Sequence, residues 1–155
     1  MKTTKVLTFP VMFGTELDSF SIEPHSIHGI FAVHSKLEET VEGIVVSKKS
    51  FTISHIHTGR SVIQGIPWIS VASKLAKHFN TLMMRGIIKR EAKSKDPEVV
   101  LSAFSGDVVA VMQEAHAILA RAKSSKEAMS DIDDLFAARF TDGVDSPGKQ
   151  INLIQ

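Results

Sequence analysis

No cysteine occurs among the 155 residues, which excludes a disulfide framework and any thiolate metal site and agrees with a reducing, cytoplasmic setting. Tyrosine is absent too, and tryptophan occurs once, so a platform of aromatic rings for stacking successive bases has little to be built from. No apolar run approaches the roughly 18 residues that a membrane span requires, so no membrane association is expected. Lysines do precede a short apolar run at the start, but Thr8 and Pro10 break it. Glu16 and Asp18 follow with no small-residue cleavage site, so the segment reads as a strand and not as a secretion signal. No Gly-x-Ser-x-Gly elbow, Gly-rich phosphate loop, internal repeat or low-complexity run occurs. These absences argue against an ATPase or a dehydrogenase, and no cofactor is implied.

What is present is the composition of a packed globular protein, 43% hydrophobic and 23% charged. Residues 1–66 read as an antiparallel β-sheet region. Runs rich in Val, Ile, Phe and Thr ("KVLTFPVMF", "GIFAVHS", "GIVVSKK", "SFTISHIH", "RSVIQG") alternate with Gly, Pro and Ser. Between Gly43 and Gly65 the pattern is that of a meander, with one turn expected at "SKKS" and a tighter one at "HTGR", where Gly59 can take a positive φ. The stretch from Phe13 to Gly29 reads as a loop carrying one strand.

After Pro67 the period changes. Trp68, Ala72, Leu75, Phe79 and Leu82 make a helical stripe, with Pro67 expected at the first helical position and Gly86 expected to end or weaken the helix. Asp96-Pro97 announces a second helix, Asp107 is expected to cap a third, and Ser124 with Glu127 forms a capping box for a fourth. Residues 67–141 therefore read as a helical region packed on the sheet in one compact domain, and 142–155 as a flexible tail. The expected fold class is α+β, an N-terminal antiparallel β-meander of about five strands followed by three to four α-helices.

Charge is segregated along the chain. Residues 1–66 balance six basic against six acidic residues, whereas 67–95 hold seven basic residues against Glu91 alone. Residues 96–155 hold five basic and ten acidic residues. Lys74, Lys77 and Arg85 share one helix face and are followed by Lys89, Arg90, Lys93 and Lys95, while Lys48, Lys49 and Arg60 are expected at two turns of the sheet. Such a surface suits phosphate neutralisation, with contacts mainly to the nucleic acid backbone. A solvated helix face, or pairing of the basic segment with the acidic third of the chain, explains the same pattern without a ligand.

Five of the seven histidines fall between positions 25 and 57. His55 and His57 have strand spacing and share a face with Phe51 and Ile53, so they read first as rim residues where a strand leaves the core. With His34 and Arg60, and His28 nearby, they are also a candidate ligand pocket for phosphoester or metal chemistry. The histidine triad of nucleotide hydrolases would need a third histidine where Gly59 stands, and neither His55 nor His57 opens the His-x-Thr or His-x-Ser triplet of the two-histidine phosphoesterases. No catalytic residue and no metal ligand is assigned on these grounds.

Three functions follow in order. The first is a small non-enzymatic accessory protein that contacts nucleic acid phosphates through the basic helix, with the acidic helices serving self-association or a protein partner. The second is a small enzyme or ligand-binding protein using the His34, His55, His57 and Arg60 pocket. The third is a protein–protein module or inhibitor using the acidic helix around Asp131, Asp133 and Asp134.

Overall fold

In the computed structural model the backbone of residues 9–12 and 19–140 is described, and side chains from Ile22 onward except Glu39. The expected tail at 142–155 and the opening residues Lys2 to Thr8 lie outside the described residues. One compact unit ends at Ser105 and a second begins at Gly106.

Short strands β1 (Phe9–Met12) and β2 (Ser19–Ile22) pair antiparallel as a separate two-stranded sheet. The main sheet has four antiparallel strands in sequence order: β3 (Ser26–His28), β4 (Phe31–Thr40), β5 (Gly43–His55) and β6 (Ser61–Ile66). The expected class α+β holds, but the meander has four strands and not about five. "GIVVSKK" and "SFTISHIH" are one strand, because "SKKS" is a bulge and not a turn. Leu37 faces Val46 and Ser35 faces Phe51, so Lys36 alone stands opposite the four residues Ser47 to Ser50. The extra residues loop out within β5, with the Lys49 amide bonded to Ser47 Oγ at 3.2 Å, and pairing resumes beyond them. The hairpin turn falls instead at Val41 and Glu42. The stretch expected as a loop with one strand, Phe13 to Gly29, carries two, β2 and then β3.

Side-chain alternation gives the sheet two buried faces. Phe31 and Val33 of β4, with Ile53 and His55 opposite them in β5, meet α1 (Ile69–Met84). The other face carries Ala32, His34, Thr52 and Ser54, and Ala32 clusters there with Leu37, Ile22, Ile44 and Ile56. Ala72, Leu75, Phe79 and Leu82 of the α1 stripe are all buried, and the rings of Phe79 and Phe31 stand 5.6 Å apart. Trp68 is the half-buried N-cap, so Pro67 lies just before the cap and not at the first helical position.

Gly86 ends α1 outright. The Ile87 amide bonds Leu82 O and the Gly86 amide bonds Met83 O, the paired bonds of a Schellman cap, with Gly86 at φ +77°. The basic stretch beyond it is therefore not a continuation of the helix. It runs separately through a 3-10 turn, Arg90–Lys93, whose Ala92 is buried. Helix α2 (Pro97–Ser102) begins as expected, with Asp96 Oδ1 accepting from the Glu98 amide at 3.0 Å and Pro97 in the first turn.

The second unit is a helical pair, α3 (Gly106–Arg121) and α4 (Ser125–Arg139). Helix α3 starts at Gly106, which puts Asp107 in its first turn and not at its cap. Ser124 Oγ accepts from the Glu127 amide at 3.1 Å, completing one half of the expected capping box. Val108, Val111, Ala115 and Ile118 face a buried seam, as do Ala128, Ile132 and Phe136 of α4. Arg139 pairs with Glu114 across the two helices, but both side chains are exposed, so the pair contributes little.

Phe79→Ala should cost about 3–5 kcal/mol, since it empties the centre of the helix–sheet contact. Gly86→Ala should cost about 1–2 kcal/mol through its positive φ alone, because an added Cβ meets nothing within 4 Å. Urea unfolding of the two variants checks both values.

Candidate nucleic-acid interface

Chain direction decides which cations meet. Strand β3 runs into the Gly29–Ile30 turn, β5 runs into the Ile56–Gly59 turn, and the Ile56 amide bonds Ile30 O at 2.9 Å, so the two turns lie side by side. Strand β6 leads away and α1 returns, which brings Met84 and Arg85 back to the same end. The 3-10 turn joins them there through a histidine.

His55 is 2% exposed and both its ring nitrogens are bonded. Nδ1 accepts from the Thr58 amide at 3.1 Å and lies 2.9 Å from Thr58 Oγ1, while Nε2 lies 2.5 Å from Ala92 O. An amide can only donate and a carbonyl can only accept, so the ring is neutral with its proton on Nε2. It ties the β5–β6 turn to the 3-10 turn 37 residues further on. Within the turn the His55 amide bonds Arg60 O at 2.8 Å and the Gly59 amide bonds His55 O at 2.7 Å, with Gly59 at the expected positive φ of 73°. His57 is exposed in that turn, its ring 5.6 Å from the ring of His55.

The result is an end of the first unit where Arg60, Arg85, Lys89, Arg90, Lys93 and Lys95 are all exposed, with Glu91 among them. A helix C-terminus carries partial negative charge, which accounts for Arg85 at the cap but acts only over the last turn. Lys77 is exposed and Lys74 half-buried along α1, leading toward this end. Lys48 and Lys49 are exposed on the bulge midway along β5, away from the strand end that leads to Arg60.

The histidines divide differently from the pocket that spacing suggested. His34 lies on the face of the sheet opposite His55, 1% exposed, so His34, His55, His57 and Arg60 do not line one cavity. Its Nδ1 donates to Ser35 O at 2.7 Å and its Nε2 lies 2.8 Å from Ser54 Oγ, so both nitrogens are engaged, and burial favours the neutral ring. His28 Nε2 lies 3.1 Å from Ser26 Oγ, which in turn reaches Ser73 Oγ of α1 at 3.2 Å. Among the described residues no three of His, Asp and Glu gather as a metal site would require. Nor is any helix among them long and apolar enough to cross a membrane.

Spacing also gave no sign of a groove of about 190 Å³ at the basic end, lined by Gly29, Ile30, Asn80, Met83, Met84 and Lys93. Its residues come from three segments up to 64 positions apart, and none belongs to a recognisable motif. No family model, no curated protein and no solved structure matches the chain.

Burial lowers the pKa of His55 below 6.5, opposed by the bond to Ala92 O and aided by His57. Burial likewise lowers that of His34, opposed by Ser35 O and aided by His25. The unfolded chain then binds more protons than the folded one just below about pH 6.5. Stability is therefore full above that pH and falls as pH drops toward the lowered folded values. The urea midpoint should be lower at about pH 5.5 than at about pH 7.5. Replacing His34 and His55 with Gln should shrink that difference, and a midpoint indifferent to pH would contradict the neutral rings.

Proposed function

We propose that the protein is a small non-enzymatic accessory protein that binds nucleic acid through its phosphates at the basic end of the first unit. The observation that carries this reading is the bond from His55 Nε2 to Ala92 O, which sets Arg60 beside the Arg90–Lys93 turn. Cations separated by 30 positions in sequence thereby share one surface. The contacting set is Arg60, Arg85, Lys89, Arg90, Lys93 and Lys95, with Lys74 and Lys77 extending it along α1. Lys48 and Lys49 form a separate, smaller patch. Cations spread over a turn, a cap and a 3-10 segment match a phosphate backbone better than a single carboxylate ligand, because each can meet a different phosphate. In the same reading α3 and α4, with Asp131, Asp133 and Asp134, serve self-association or a protein partner.

Fluorescence polarisation against labelled oligonucleotides tests the proposal. Six phosphate contacts imply roughly a thousandfold loss of affinity between about 50 and 200 mM salt. Arg60→Glu with Arg90→Glu should abolish binding at the lower salt, Lys74→Glu with Lys77→Glu should weaken it, and Lys48→Glu with Lys49→Glu should change it least. No binding of any oligonucleotide at low salt would refute the reading.

A further inference from the structure

The groove at the basic end is small and mixed in chemistry. Its volume of about 190 Å³ is below the roughly 300 Å³ at which pockets for drug-sized ligands begin, and it suits a single ring system. Ile30, Met83 and Met84 supply apolar wall, and Met84 is 80% exposed. Thioethers are flexible and polarisable and make favourable contacts with aromatic rings, so they provide a receiving surface in a chain with few aromatics of its own.

Asn80 and Lys93 are the polar side chains among the lining residues. Asn80 carries a donor and an acceptor side by side, the pattern that pairs with a base edge. Its Nδ2 reaches Met84 Sδ at 3.7 Å, a weak acceptor that a better one displaces readily. The amide lies against the β3–β4 turn because Gly29 has no side chain, and a Cβ there would run into Asn80 Oδ1. Lys93, from the 3-10 turn that His55 anchors, is the cation among the lining residues and belongs to the phosphate-contacting surface.

Resting on the phosphate-binding reading above, we propose that this groove takes one unstacked nucleobase, with Met83 and Met84 against its face, Asn80 on its edge and Lys93 on a flanking phosphate. The ligand class is single-stranded nucleic acid. In a duplex the base edges are paired and the faces stacked, so the groove would be unfilled.

The test uses the full chain and three labelled probes of about 12 nucleotides: a base-bearing single strand, an abasic strand with the same phosphates, and a duplex. The base-bearing strand should bind about tenfold more tightly than the abasic one, as expected for one base contact. Met84→Ala, at an exposed side chain, and Asn80→Ala should remove most of that difference while leaving abasic binding unchanged. Equal, salt-sensitive binding of the base-bearing and abasic strands would overturn the groove proposal and leave the phosphate reading standing. Tighter binding of the duplex than of the base-bearing strand would do the same. Failure of every probe at low salt would overturn both.

Discussion

The first unit depends on one contact, the apolar stripe of α1 laid on the inner face of β4 and β5. Phe31, Val33 and Ile53 on the sheet and Leu75 and Phe79 on the helix are all fully buried, and each such side chain contributes about 1.5–3 kcal/mol. That contact does more than stabilise. It fixes the direction in which α1 returns across the sheet, so Arg85 and the 3-10 turn at Arg90–Lys93 emerge beside the β3–β4 and β5–β6 turns. The Schellman cap at Gly86 then turns the chain before Ile88 enters the core, and the basic stretch is laid across the end of the sheet instead of extending into solvent as more helix.

His55 completes this arrangement. A buried neutral imidazole is a costly residue unless both nitrogens are engaged, and here one takes an amide of its own turn and the other a carbonyl from the distant 3-10 turn. An apolar side chain of similar size would fill the space but would leave Ala92 O without that donor. His34 solves the same problem on the opposite face with Ser35 O and Ser54 Oγ. These two rings are framework, and the accessible chemistry at that end lies with Arg60, the cations of 85–95 and the groove beside them.

The strong side-chain periods were legible from sequence. The stripes of α1, α3 and α4, the caps at Asp96 and Ser124, and the turn at Gly59 all follow from local rules that hold whatever the rest of the chain does. Where sequence reading failed, two local preferences competed and tertiary context chose. "SKKS" looks like a turn because Ser and Lys are poor strand formers, yet Phe51 and Ile53 must stay in register with Ser35 and Val33, so the extra residues bulge out and the strand continues. "IIKREAKSK" would extend the helix if Gly86 only weakened it, one of the two expected outcomes, yet Gly86 caps the helix. His34 and His55 look like partners by proximity in sequence, and strand alternation puts them on opposite faces.

By itself the sequence determined the α+β class, the identity of the helices and the segregation of charge, because propensity, periodicity and capping act over a few residues. Only the tertiary structure decided which cations stand together and which do not. Lys48 and Lys49 are closer to Arg60 in sequence than Arg90 is, but stand on the bulge midway along β5, while Arg90 is brought near through Ala92 and His55. The groove is a product of the same closure. Gly29, Asn80 and Lys93 share no local pattern and meet because burying α1 on the sheet leaves its C-terminal turn nowhere else to go.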